Sequence, residues 1–146
     1  MVCQPGYLDA AMNLAGVLYK SGDLDGALTH YRDILEGHEN LAEPHCAIGI
    51  VLLAQGHLED AKDHFQKAVA IKPGFGEAQY NLASAMGKNM GEAEITAIRE
   101  ALRDGNLSDK DRIQLHFARG EINDQRGNYE TAFADFEAGN DLRKAM

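Results

Sequence analysis

His57, Asp60 and His64 are spaced three and four residues apart and fall on one face if their stretch is helical. Two imidazoles and a carboxylate so placed are a donor set for a divalent metal ion. The same spacing also describes the wetted side of an amphipathic helix, opposite an apolar stripe of Leu58, Ala61, Phe65, Ala68 and Val69. His30 and His64 occupy equivalent places in two similar stretches, which favours an architectural role, so no metal site is expected. No nucleophile and base fall into a recognisable grouping. Cys46 reads as a small buried or groove-lining residue rather than a reactive thiol. The run "GKNMG", Gly87 to Gly91, contains glycines without the spacing of a phosphate-binding loop and reads as a turn between helices. The expectation is a chain with no catalytic residues, no cofactor and no metal, and not an enzyme.

The elements that must position these side chains show in an internal repeat. "GDLDGALTHYRDILEGHEN" from Gly22 and "GHLEDAKDHFQKAVAIKPG" from Gly56 follow one plan, with Ala27 matched to Ala61 and Tyr31 to Phe65, 34 positions apart (56 − 22 = 34). Apolar residues recur at steps of three and four, and strand-like alternation is nearly absent. Gly56 marks a helix end, Pro44 suits a first helical turn, and Pro73 closes the helix before it. Four pairs of helices are predicted: Tyr7–Lys20 with Asp23–Leu35, Ala42–Gln55 with His57–Ile71, Gly76–Lys88 with Glu92–Arg103, and Asp109–Arg126 with Tyr129–Arg143. Ser108, with Asp111 three residues on, is a cap for the seventh helix. Two-helix units of this size cannot bury their apolar faces alone and must stack. The reading is one all-α domain over residues 1–146, in units of about 8–41, 42–75, 76–107 and 108–146.

Composition narrows the partners. The 146 residues carry a formal charge of −9, which disfavours nucleic acid and anionic membrane as partners. Two cysteines, Cys3 and Cys46, give no disulfide framework and suit a reducing compartment. The first residues have no basic start followed by an apolar core, so no secretion signal is read and a cytoplasmic location is expected.

A helix-turn-helix period of 34 residues with Gly49, Leu52, Ala61, Phe65, Ala68 and Pro73 at these places resembles the tetratricopeptide repeat. The first unit keeps Leu14, Leu18, Gly22, Ala27 and Tyr31, and the fourth keeps Gly120, Gly127, Ala132 and Phe136. The third unit departs: 34 residues beyond Ala61 and Phe65 lie Ile95 and Arg99, and a shift of one places Ile98 and Ala101 on the stripe instead. An irregular stack with a longer connection is expected there. The C-terminal third, with Asp111-Arg112, Leu115-His116-Phe117-Ala118, Gly120, Gly127, Tyr129, Ala132-Phe133, Gly139-Asn140 and Leu142-Arg143, looks like the last repeat of bacterial proteins that carry such repeats ahead of a sulfotransferase domain. Arg119, Asn123 and Arg126 stand where that string has leucines, and read as a solvated face, with a docking surface as the alternative.

The resemblance implies a right-handed α-solenoid whose first helices line a concave groove that holds peptides. The groove residues it implies are Met12 and Tyr19 (with Asp9 and Gly16), Glu43, Cys46, Ile50 and Leu53, then Glu77, Tyr80 and Ser84, and finally Phe117 and Glu121 (with Asp124). Apolar groups beside carboxylates suit a protein or peptide segment with apolar anchors and basic residues. The basic clamp that grips acidic chaperone tails in this family is replaced by Met12, Gly16, Ala47 and Glu77, with Asn81 alone polar and neutral, so no such tail is expected to bind. The function expected is a non-catalytic protein-interaction scaffold. The alternative is the N-terminal, substrate-positioning region of a sulfotransferase-like enzyme whose catalytic domain lies outside this chain. Weak self-association through incompletely capped ends is a third expectation.

Overall fold

In the computed structural model, which describes residues 5–146, the chain forms eight α-helices and no strand among the described residues. They are α1 (Pro5–Lys20), α2 (Leu24–Gly37), α3 (Ala42–Ala54), α4 (Leu58–Ile71), α5 (Gly76–Met86), α6 (Glu92–Leu102), α7 (Asp109–Gln125) and α8 (Tyr129–Ala145). A single 3-10 turn, Gly87–Asn89, replaces the last residues of the predicted fifth helix. Cys3 lies outside the described residues.

Three of the turns are chemically alike. Gly22, Gly56 and Gly127 have φ of 92°, 84° and 83°, the left-handed region that a side chain resists. At the first, the Gly22 N–H donates to the Tyr19 carbonyl and the Asp23 N–H to the Leu18 carbonyl. The same two bonds recur at Gly56–His57 and Gly127–Asn128, so each helix end satisfies its last carbonyls with a Schellman turn and reverses the chain. The next helix then packs back on the one before: α1 on α2, α3 on α4, α7 on α8.

The chain divides into two compact units, one ending at Ile71 and one beginning at Lys72. In the first, α2 also packs on α3, and its core contains Ala15, Ala27, Tyr31, Ile48, Val51 and Phe65. Phe65 is fully buried and its ring lies over Gly49, where an added Cβ would come within 2.6 Å of the ring. Leu58, assigned from sequence to the apolar stripe, is exposed at the first position of α4.

The second unit is organised on α7, against which α5, α6 and α8 all pack. The sequence pairs α5 with α6, but α5 packs mainly on α7. Two features explain this. The places in α6 that should hold a small residue and an aromatic ring hold Ile95 and the exposed Arg99, so α6 meets the core through Ile98, which is fully buried. At the start of α5, the Gly76 N–H donates to the Asp111 carboxylate at 3.0 Å, and the absence of a side chain at Gly76 allows α7 to approach closely. The predicted cap is present: the Ser108 hydroxyl accepts from the Asp111 N–H at 3.1 Å.

Candidate functional site

In the first unit, the groove residues expected from sequence differ in exposure. Met12, Tyr19, Ile50 and Leu53 are partly exposed and Glu43 is exposed. Cys46 is 2% exposed, so it belongs to the packed interior and not to an open groove wall.

In the second unit, Tyr80 from α5 and Phe117 from α7 come together. With Gln114, Phe136 and Arg143 they line a cavity of about 370 Å³. Two glycines create the space for these rings. Phe136 lies against Gly120, and Phe117 lies against Gly139, where an added Cβ would fall 2.5 Å from the ring. The two phenyl centroids are 6.4 Å apart and tilted at 46°, a favourable aromatic pair. The Arg143 guanidinium sits 5.0 Å from the Phe117 centroid, a cation over an aromatic face. Glu77 and Glu121, on the same two helices, do not line this cavity, and Ser84 is exposed outside it. The Glu121 carboxylate accepts from the Gln125 amide at 3.0 Å. Gln114, Phe136 and Arg143 were not among the groove residues expected from sequence. The signal for them was the spacing of Phe136 from Gly120, which repeats Phe65 and Gly49.

Two polar groupings hold the hairpins together. His45 is buried, and its Nε2–H donates to the Glu39 carbonyl at 3.0 Å, a group that can only accept. That fixes the tautomer and leaves His45 Nδ1 as an acceptor for the Nδ1–H of His64 at 3.2 Å. Burial, then the charges of Lys67, His45 and Arg32, lower the pKa of His64 to about 4, against the opposing pull of Asp63. His64 is therefore neutral near pH 7. His57 and Asp60 are exposed, so the supposed metal face is taken apart by the turn of His64 toward His45. Among the described residues no three His, Cys, Asp or Glu side chains converge as metal ligands.

The equivalent grouping in the second unit is ionic. His116 Nδ1 donates to Asp135 at 3.0 Å, and Arg119 forks onto both carboxylate oxygens at 2.8 Å. Burial alone would raise the Asp135 pKa. Hydrogen bonds from His116 and Arg119, and their charges, outweigh it and hold the carboxyl below its ordinary value. Asn123 is buried and donates to the Arg119 carbonyl, and Arg126 pairs with Glu92 at 3.1 Å. Arg119 and Asn123 thus form a polar seam within the hairpin, because α8 supplies the carboxylate that takes up Arg119, while Arg126 at the end of the face is exposed.

With this geometry in hand, comparison with known proteins gives a consistent result. Sequence models of the tetratricopeptide repeat match residues 6–73 and residues 46–109. Anaphase-promoting complex subunit CDC16 of Saccharomyces cerevisiae is 26% identical over 114 residues, covering 76% of this chain, which spans only 14% of that protein's length. Among solved structures, pilF of Pseudomonas aeruginosa is similar with a TM-score of 0.74 at 21% identity, over 94% of this chain and 62% of that one. MamA is similar with a TM-score of 0.65 at 16% identity, over 97% and 81% of the two chains. At these identities the likeness establishes the fold, an all-helical solenoid of tetratricopeptide type, as the 34-residue period predicts.

Proposed function

The chain carries tetratricopeptide repeats, and from that premise we propose that it is a non-catalytic interaction module that binds a segment of another polypeptide along the first helices of its hairpins. The observation that carries this reading is the meeting of Tyr80 and Phe117 in one open, aromatic cavity within the second unit. A concave space walled by aromatic rings and a few polar groups suits a single anchoring side chain. An aliphatic or aromatic residue of the partner enters between the rings, its backbone within reach of Gln114.

Charge supplies the second half of the recognition. Arg143 is drawn onto the Phe117 ring, while Glu77 and Glu121 stand on the same helices outside the cavity. Basic residues flanking the anchor are favoured by those carboxylates and by the net charge of −9. In the first unit, Met12, Tyr19, Glu43, Ile50 and Leu53 form that unit's own share of the binding surface. Cytoplasmic residence belongs to the same proposal, supported by the sparse cysteines. No described helix is long and apolar enough to cross a membrane.

Selection from a phage-displayed library of random peptides tests the reading. The wild-type protein should enrich sequences with one apolar anchor and an excess of lysine and arginine, and Tyr80→Ala with Phe117→Ala should abolish the enrichment. Equal enrichment on the double variant, with its fold intact by circular dichroism, would remove the cavity from the account.

A further inference from the structure

The hydrogen-bonded pair between hairpin helices is a property of register, and in the first hairpin its first-helix half is missing. The place held by His45 in α3 is held by Gln79 in α5, by His116 in α7 and by Ala11 in α1. Three of these four make at least one of the two bonds their register predicts. His45 and His116 each bond a side chain 19 residues onward. His45 and Gln79 each donate to a carbonyl six residues back.

On the partner helix the place is held by His64 in α4, Asp135 in α8 and His30 in α2. His64 and Asp135 are bonded to their imidazoles. The His30 ring has no hydrogen bond among the described residues, since Ala11 opposite it carries no polar atom. Between α1 and α2 is a cavity of about 700 Å³ lined by Ala11 and His30.

We propose that this cavity is a binding site for an imidazole-type base, seated in the space that Ala11 leaves open and hydrogen-bonded to the His30 ring. The internal repeats define the ligand chemistry. In both hairpins where this pair is complete, the group on the first helix is an imidazole, so its replacement is a planar ring with one N–H and one bare nitrogen. Tyr7, Leu8 and Ile34 add apolar lining for the body that carries the ring. Asp33 and Glu36 share the cavity and favour a weak base over a carboxylate. At His64 the equivalent cavity, about 640 Å³, faces Lys67 and Arg32 and is lined by His45 as well as His64, so what is particular to the first hairpin is a ring with no polar side chain opposite it.

The test is a titration of the whole chain, without a histidine tag, with 4-methylimidazole and separately with acetyl-Gly-His-Gly-amide, following the ring signals of His30 by NMR. Saturable movement of those signals is expected. Binding of 4-methylimidazole alone assigns a small molecule, and tighter binding of the tripeptide assigns a histidine side chain of a partner. Ala11→His should supply the missing partner, raise the melting temperature and weaken binding at least tenfold, and Ala11→Leu should weaken it similarly. His30→Phe keeps the packing and should abolish it. Unmoved His30 signals in both titrations would overturn the proposal. So would unchanged binding in a folded His30→Phe protein, or binding that follows His38→Ala instead.

Discussion

The Nδ1 atoms of His45 and His64 face each other at 3.2 Å across α3 and α4, and burial of the His64 ring holds it neutral. Burial, more than the pairing itself, disfavours an added proton on His64.

Stability should therefore fall in mild acid. The folded pKa of His64, about 4, lies below its unfolded value of 6.5, so the folded state binds fewer protons in that interval. The contribution is complete above about pH 6.5 and is lost as pH drops through 4. Discounted for solvent screening, roughly 1–2 kcal/mol should disappear. Urea unfolding at pH 7 and pH 4.5 measures it, and His64→Gln should flatten the difference. An acid-insensitive midpoint in the wild-type protein would contradict the assignment.

Asp135 works in a lower window. Its folded pKa is below the unfolded value, so its contribution is present above ordinary carboxylate pH and lost as pH falls further. Asp135→Ala leaves Arg119 and His116 facing a buried gap and should cost about 3 kcal/mol. Asp135→Asn should cost less, since the amide oxygen still accepts one bond. Chemical denaturation at pH 7 ranks the three proteins.

Phe65→Ala should cost about 3–5 kcal/mol, the range for a large buried aromatic. Gly49→Ala should be destabilising too, because its Cβ would collide with that same ring. A loss below about 1 kcal/mol for Phe65→Ala, read from urea unfolding, would mean the first unit is not packed around this ring.

Much of this was legible in the sequence. Gly22, Gly56 and Gly127 mark helix ends because a left-handed turn demands them, and the Ala61–Phe65–Ala68 stripe is a local pattern that periodicity exposes. The pairing of α5 with α7 was not, since it depends on how α6 fails to compete once Arg99 replaces a ring. Arg119 and Asn123 read as a wetted face because a sequence shows charge on one helix and not the carboxylate that another helix brings to it. The same holds for His45 with His64. Partners 19 residues apart leave no periodic trace on either helix, and only the repetition of the pair at His116 and Asp135 would have betrayed it. Cys46 read as either buried or groove-lining, because burial of a small side chain depends on neighbours from other helices that one stretch of sequence does not show.

The cavity between Tyr80 and Phe117 makes the most direct claim about function. A peptide enriched by wild-type selection should bind with at least tenfold lower affinity to Phe117→Ala than to the parent, in fluorescence polarisation at low salt. Its NMR footprint should fall on Tyr80, Gln114 and Phe117. A footprint elsewhere, with affinity unchanged in Phe117→Ala, would show that the protein binds its partners through a different surface.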